Sequence, residues 1–117
     1  RQKNDHQFVR SLYQDLFERA PTYQELRNVR NATQALADPI GIRSVIIKTM
    51  LESEQAPLAD KASIKPERWI PQQFLRFLSR RPTEAELNAF LDVWKTPACR
   101  PSTILHAILT SAEYQHY

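Results

Sequence analysis

Glycine, cysteine and methionine are each present once in this 117-residue sequence, and each scarcity excludes something. A lone Gly41 leaves almost nothing for tight hairpins, which lean on Asn-Gly, Asp-Gly and Gly-Gly pairs. Phosphate-cradling loops need several glycines close together, so nucleotide-binding loops of that kind are excluded. Cys99 has no partner for an internal disulfide, and cysteine usage leaves the compartment open. The longest aliphatic run is Val45-Ile46-Ile47, far short of the ~20 apolar residues of a membrane helix. No membrane span is expected. Met50 is the only methionine, so Arg1 is not expected to be a translation start; the chain reads as a piece of something larger, with any targeting signal outside it.

What is abundant points to helices. Eight prolines suit a chain whose helices are started and stopped by proline. Hydrophobic residues at 42% and charged residues at 25% are ordinary for a globular protein, and the length is that of one domain. The net charge of +3 is uneven. Residues 1–60 carry eight basic and eight acidic side chains, whereas residues 61–117 carry eight basic and five acidic. Between Lys61 and Arg81 the cations Lys61, Lys65, Arg68, Arg76, Arg80 and Arg81 face only Glu67, an excess able to attract an acidic partner or to stand as a solvated face.

The chain is organised by an internal repeat. Phe8–Leu26 lines up with Trp69–Leu87 at constant offset: Arg19, Pro21, Thr22, Glu25 and Leu26 match Arg80, Pro82, Thr83, Glu86 and Leu87. Upstream, Phe8, Val9, Tyr13, Leu16 and Phe17 match Trp69, Ile70, Phe74, Phe77 and Leu78 in type. Downstream, Ile46-Ile47 and Met50-Leu51-Glu52-Ser53 match Ile104-Leu105 and Ile108-Leu109-Thr110-Ser111, with a spacer three residues shorter in the second copy. A tandem duplication is the strongest inference, with copy one at 5–56, a connector at 57–66 and copy two at 67–117.

Each shared residue has a local role. Thr22-x-x-Glu25 and Thr83-x-x-Glu86 are capping boxes, and the prolines before the threonines disfavour helix at Ala20 and Arg81. Arg-x-Pro-Thr-x-x-Glu-Leu is thus a helix-stop, helix-start corner. Arg19 and Arg80 precede it, suited to the negative end of a helix or to clamping carbonyls near Ser53 and Ser111.

Periodicity predicts six helices. Val9, Leu12, Tyr13, Leu16 and Phe17 face inward from a first, over about 5–19, and Leu26, Val29, Thr33 and Leu36 from a second, over about 22–37. Pro39-Ile40-Gly41 is expected to break the chain before a third helix with Ile42, Val45, Ile46, Thr49 and Met50 on its face. In copy two, Ile70, Phe74, Phe77 and Leu78, then Leu87, Phe90, Leu91 and Trp94, then Ile104, Leu105, Ile108, Leu109 and Ala112 mark the remaining three. Pro66 or Pro71 fits the first turn of helix four, and Thr96–Pro101 reads as a loop. The expected fold is all-α, a duplicated three-helix unit packed on a shared core.

Reactive groups give little. His6, His106 and His116 show no metal spacing, and there is no Cys-x-x-Cys. Cys99 with His106 would make a nucleophile–base pair only with an oxyanion site the sequence does not offer. Glu25 and Glu86 are explained as caps. Tyr114 and Tyr117, near the C-terminus, either dock on a partner or close the core. No cofactor is expected.

The pattern Phe8-Val-x-x-Leu-Tyr-x-x-Leu-Phe-x-Arg-x-Pro-Thr22, a variable helix, and the closing Leu109-Thr-Ser-Ala-Glu-Tyr114 resemble the bacterial helical repeat called domain of unknown function 4214 and, more distantly, the phycobilisome linker domain. Glu18 and Ser79 stand where that repeat has a glycine, and Pro-Thr-x-x-Glu replaces its Asp-x-x-Gly corner. The resemblance implies a non-catalytic assembly module in a larger bacterial protein, extracytoplasmic or in the envelope, whose partner is another protein or a further domain of the same chain. The candidate contact residues are Arg68, Arg76, Arg80, Arg81, Tyr114 and Tyr117. A nucleic-acid-binding domain using residues 61–81 is the alternative, permitted by a pI near 9.3; an accessory domain of an enzyme is a third.

Overall fold

A computed structural model describes residues 1–35, 39–56 and 58–116. The described residues are all-α with no strand; one isolated antiparallel bridge joins Gln2 to His116. The helices are α1 (Asp5–Phe17), α2 (Tyr23–Ala35), α3 (Pro39–Leu51), α4 (Pro66–Leu78), α5 (Glu84–Trp94), α6 (Pro101–Thr110) and the single turn α7 (Ala112–Gln115). A 3-10 turn, Lys61–Ser63, lies in the connector.

Helix ends follow local chemistry. Asn4 caps α1 by accepting from the Gln7 amide at 2.8 Å while the Gln7 side chain accepts from the Asn4 amide, a reciprocal cap that satisfies two free donors. α1 and α4 both end on a residue in the left-handed conformation, Glu18 (φ 56°) and Ser79 (φ 56°), whose amides donate back to Gln14 and Leu75. These are the two positions at which the resembled repeat has glycine.

Two expectations are corrected, and the choice between Pro66 and Pro71 is resolved. Pro39-Ile40-Gly41 does not break the chain but forms the first turn of α3, where proline lacks only an amide that would have no partner anyway. Pro66 opens α4, whereas Pro71 lies inside that helix. The expected sixth helix stops at Thr110, because Ser111 turns to extended backbone and caps α7 through its hydroxyl, which accepts from the Tyr114 amide. Ala112 is therefore exposed at the start of a seventh helix.

The faces of α1, α4 and α6 agree with the periodicity. Leu12, Phe8, Ile70, Ile104, Leu105 and Leu109 are almost wholly buried. In α5 only Trp94 is fully buried, and Leu36 lies outside the described residues. α3 differs: Arg43, Ile47, Met50 and Leu51 turn inward while Val45 is 61% exposed. That helix carries apolar residues around most of its circumference, so its pattern selects no face, and packing against α6 decides. α3 and α6 occupy equivalent places in the two copies, and their contact is the main seam between them. One apolar cluster draws on both copies, giving a shared core.

Candidate functional site

The two Pro-Thr corners share one geometry. In the first, the Thr22 hydroxyl accepts from the Glu25 amide at 3.1 Å and the Glu25 carboxylate accepts from the Thr22 amide at 2.8 Å. In the second, Thr83 and Glu86 repeat those bonds at 3.1 and 2.8 Å. Each carboxylate also receives a two-pronged guanidinium, Arg19 on Glu25 at 2.8 and 3.0 Å and Arg80 on Glu86 at 2.8 and 2.9 Å. Arg19 and Arg80 donate in addition to the carbonyls of Ala20 and Arg81. Each also lies over the equivalent ring, Tyr13 in one copy and Phe74 in the other.

The third hydrogen-bond partner of each arginine corrects the expected clamp on carbonyls near Ser53 and Ser111. Arg19 reaches the side-chain oxygen of Gln55 at 2.7 Å, and Arg80 both carboxylate oxygens of Glu113 at 2.7 and 2.8 Å. Gln55 and Glu113 are themselves repeat equivalents, so one guanidinium ties the start of each copy to its end. The arginine hydrogen bonds, followed by those from the threonine, hold the carboxyl groups of Glu25 and Glu86 down at about 2. Arg80 likewise lowers Glu113. These glutamates are fully engaged carboxylates with no proton to give near neutrality.

The candidate contact residues separate into bound and free. Arg80 is committed to the corner. Lys61 donates to the carbonyls of Thr96 and Cys99 at 3.1 and 2.8 Å and lies over Trp94, so it too serves the fold. Arg76 donates to the Asp15 carbonyl at 2.6 Å with its guanidinium over Phe77. The side chains of Arg68 and Arg81 are exposed and form no ion pair among the described residues. Arg68, Gln72, Leu75 and Arg76 fall on one stripe of α4, and Leu75 is 57% exposed in its middle. Tyr114 is not a docking ring. It is 2% exposed, its hydroxyl donates to the Asp15 carboxylate at 2.7 Å, and burial followed by that bond raises its phenol well above the usual range. Tyr117 lies outside the described residues.

The reactive groups do not converge. His106 Nε2 pairs with the Ser44 hydroxyl at 3.1 Å across the α3–α6 seam, the buried Cys99 thiol faces the Arg100 carbonyl, and His6 accepts from Arg10. Among the described residues no cluster of histidine, cysteine, aspartate or glutamate is arranged to hold a metal ion, and no helix is long and apolar enough to cross a membrane.

A polar residue that periodicity did not single out is central to the seam. Arg43, 6% exposed, donates to the Asp5 carboxylate at 2.8 Å, to Gln115 Oε1 at 2.7 Å and to the Lys3 carbonyl at 2.9 Å, above the Phe8 ring. Its sequence signal is a cation near the start of a helix that is mostly apolar but also carries Lys48.

No protein-family model, curated protein or solved structure matches the chain.

Proposed function

We propose that this chain is a non-catalytic protein-interaction module of a larger bacterial envelope protein, and that its contact surface is the outer stripe of α4. The observation that carries the reading is Leu75, a large apolar side chain more than half exposed, flanked on the same helix by Arg68 and Arg76 with Arg81 just beyond. An apolar centre ringed by cations suits a partner with an acidic rim around an apolar knob. The corners support it from beneath, because their ion pairs fix the ends of the helices that present the stripe. The envelope location rests on the resemblance to the bacterial repeat alone.

A photo-reactive residue placed at position 75 of the parent protein tests the reading in cells that make it. Discrete protein adducts are expected, lost when Arg68→Glu and Arg81→Glu are combined. Absence of adducts, or adducts indifferent to the charge reversal, overturns this assignment. Adducts to nucleic acid in their place would favour the alternative.

A further inference from the structure

The two copies differ in how their second helices, α2 and α5, are packed. In copy two, Trp94 stacks obliquely on Trp69 with ring centroids 5.6 Å apart, and Phe90 meets Phe74 edge-on at 5.4 Å. These rings fill the space between α4 and α5. At the equivalent positions of α2 stand Val29 and Thr33. A groove of about 760 Å³ lies there, between the start of α1 and the length of α2.

Its floor is aliphatic, with Val9, Leu26 and Val29, and its rim carries Arg27, Arg30 and the 79% exposed ring of Tyr23. Neither guanidinium has a hydrogen bond or ion pair among the described residues. Among the described lining residues the one carboxylate, Asp5, is already held by Arg43 at 2.8 Å. His6 on the opposite wall accepts from Arg10 at 2.9 Å. Among the described residues, therefore, the groove sets two exposed, unpaired guanidinium groups above an apolar base. Residues 1–60 balance in sum, which hides this local excess.

We infer that this groove binds an extended acidic segment of another protein. From Tyr23 to Gln34 the helix rises about 16 Å, the reach of roughly five residues of extended chain. Arg27 and Arg30 are three apart on one helix, about 5–6 Å between their Cβ atoms. Alternate side chains of an extended peptide project to one side about 6.6 Å apart, so two acidic residues separated by one match that pair. An apolar side chain beyond them rests on Leu26 and Val29. Single-stranded nucleic acid fits less well, since it needs successive ring platforms, and among the described lining residues the rings are Tyr23 and, on the opposite wall, His6 already bonded to Arg10. The site is remote in sequence from the α4 stripe, so the two readings fail separately.

The test is a nuclear magnetic resonance titration of the isotope-labelled chain with acetyl-Ser-Glu-Leu-Glu-Leu-Ser-amide and its glutamine counterpart. Saturable shifts are expected at residues 4–9 and 23–34 with the acidic peptide, and affinity about tenfold or more weaker for the glutamine form. Val29→Phe with Thr33→Trp, which rebuilds copy two's filling, should abolish binding while both arginines remain. Should that variant fail to fold, Arg27→Glu with Arg30→Glu changes only exposed charge and must have the same effect. The inference is overturned by no shift at millimolar peptide, by equal binding of the glutamine form, by shifts confined to α4, or by a single-stranded oligonucleotide binding the groove more tightly.

Discussion

Arg76 donates a 2.6 Å hydrogen bond to the main-chain carbonyl of Asp15, the residue that holds Arg76's own place in the other copy. α3 likewise meets its counterpart α6. Equivalent parts meeting each other is the signature of a self-complementary, two-fold arrangement, of the kind otherwise made by identical subunits. Here it is built within one chain, and sequence divergence has broken its symmetry at particular contacts. Those contacts are where mutation is most informative.

Arg43 spans the asymmetric part of the seam. Arg43→Leu leaves the buried Gln115 side chain and the Lys3 carbonyl without a donor, and a loss of about 2–3 kcal/mol is expected. Urea unfolding measures it; a change below about 0.5 kcal/mol would mean that the network rearranges without cost.

The corners predict a dependence on acid. The carboxyls of Glu25 and Glu86 sit at about 2 in the folded chain, below the 4.5 of an unpaired glutamate. Between those values the unfolded chain binds more protons, so stability rises with pH. The contribution is complete above about 4.5 and lost as pH falls toward about 2. Urea midpoints measured across that window should fall with acid, and less steeply in Glu86→Gln. An unchanged slope in that variant would show that the ion pair is not what titrates.

Glu18 and Ser79 sit at positive φ, where a Cβ costs about 1–2 kcal/mol and glycine meets no such clash. Glu18→Gly and Ser79→Gly should each stabilise by about 0.5–1 kcal/mol after the greater freedom of glycine in the unfolded chain is set against the relief. Thermal midpoints should rise in both.

Gln55 gives Arg19 a neutral acceptor where Glu113 gives Arg80 a carboxylate. Gln55→Glu should stabilise copy one by about 0.5 kcal/mol, and Glu113→Gln should cost copy two a similar amount, since both pairs are exposed. Raising the salt concentration should shrink both effects.

How much of this was readable beforehand depended on whether a residue's role was local. The Thr-x-x-Glu caps and proline corners are set within six residues, so Arg19, Thr22, Glu25 and their counterparts could be placed from spacing. α1, α4 and α6 each carry one apolar stripe and could be oriented. α3 could not, because Ile40, Ile42, Val45, Ile46 and Ile47 wrap it, and the choice that buries Arg43 lies with α6. The fate of Tyr114 hangs on Asp15, almost the whole chain away, and no pattern reports a bond of that separation. The groove at α2 was hidden for another reason. Val29 and Thr33 keep the helical period while changing side-chain volume, and periodicity is blind to volume.

The bridge between Gln2 and His116, with the Lys3 amide on the Gln115 carbonyl at 2.6 Å, sets the two extremities of the described chain side by side. A circular permutant, with the old extremities joined by a few residues and new ones cut in the connector, would place copy two ahead of copy one without disturbing a helix. The order in which the halves are translated is therefore separable from the architecture they make.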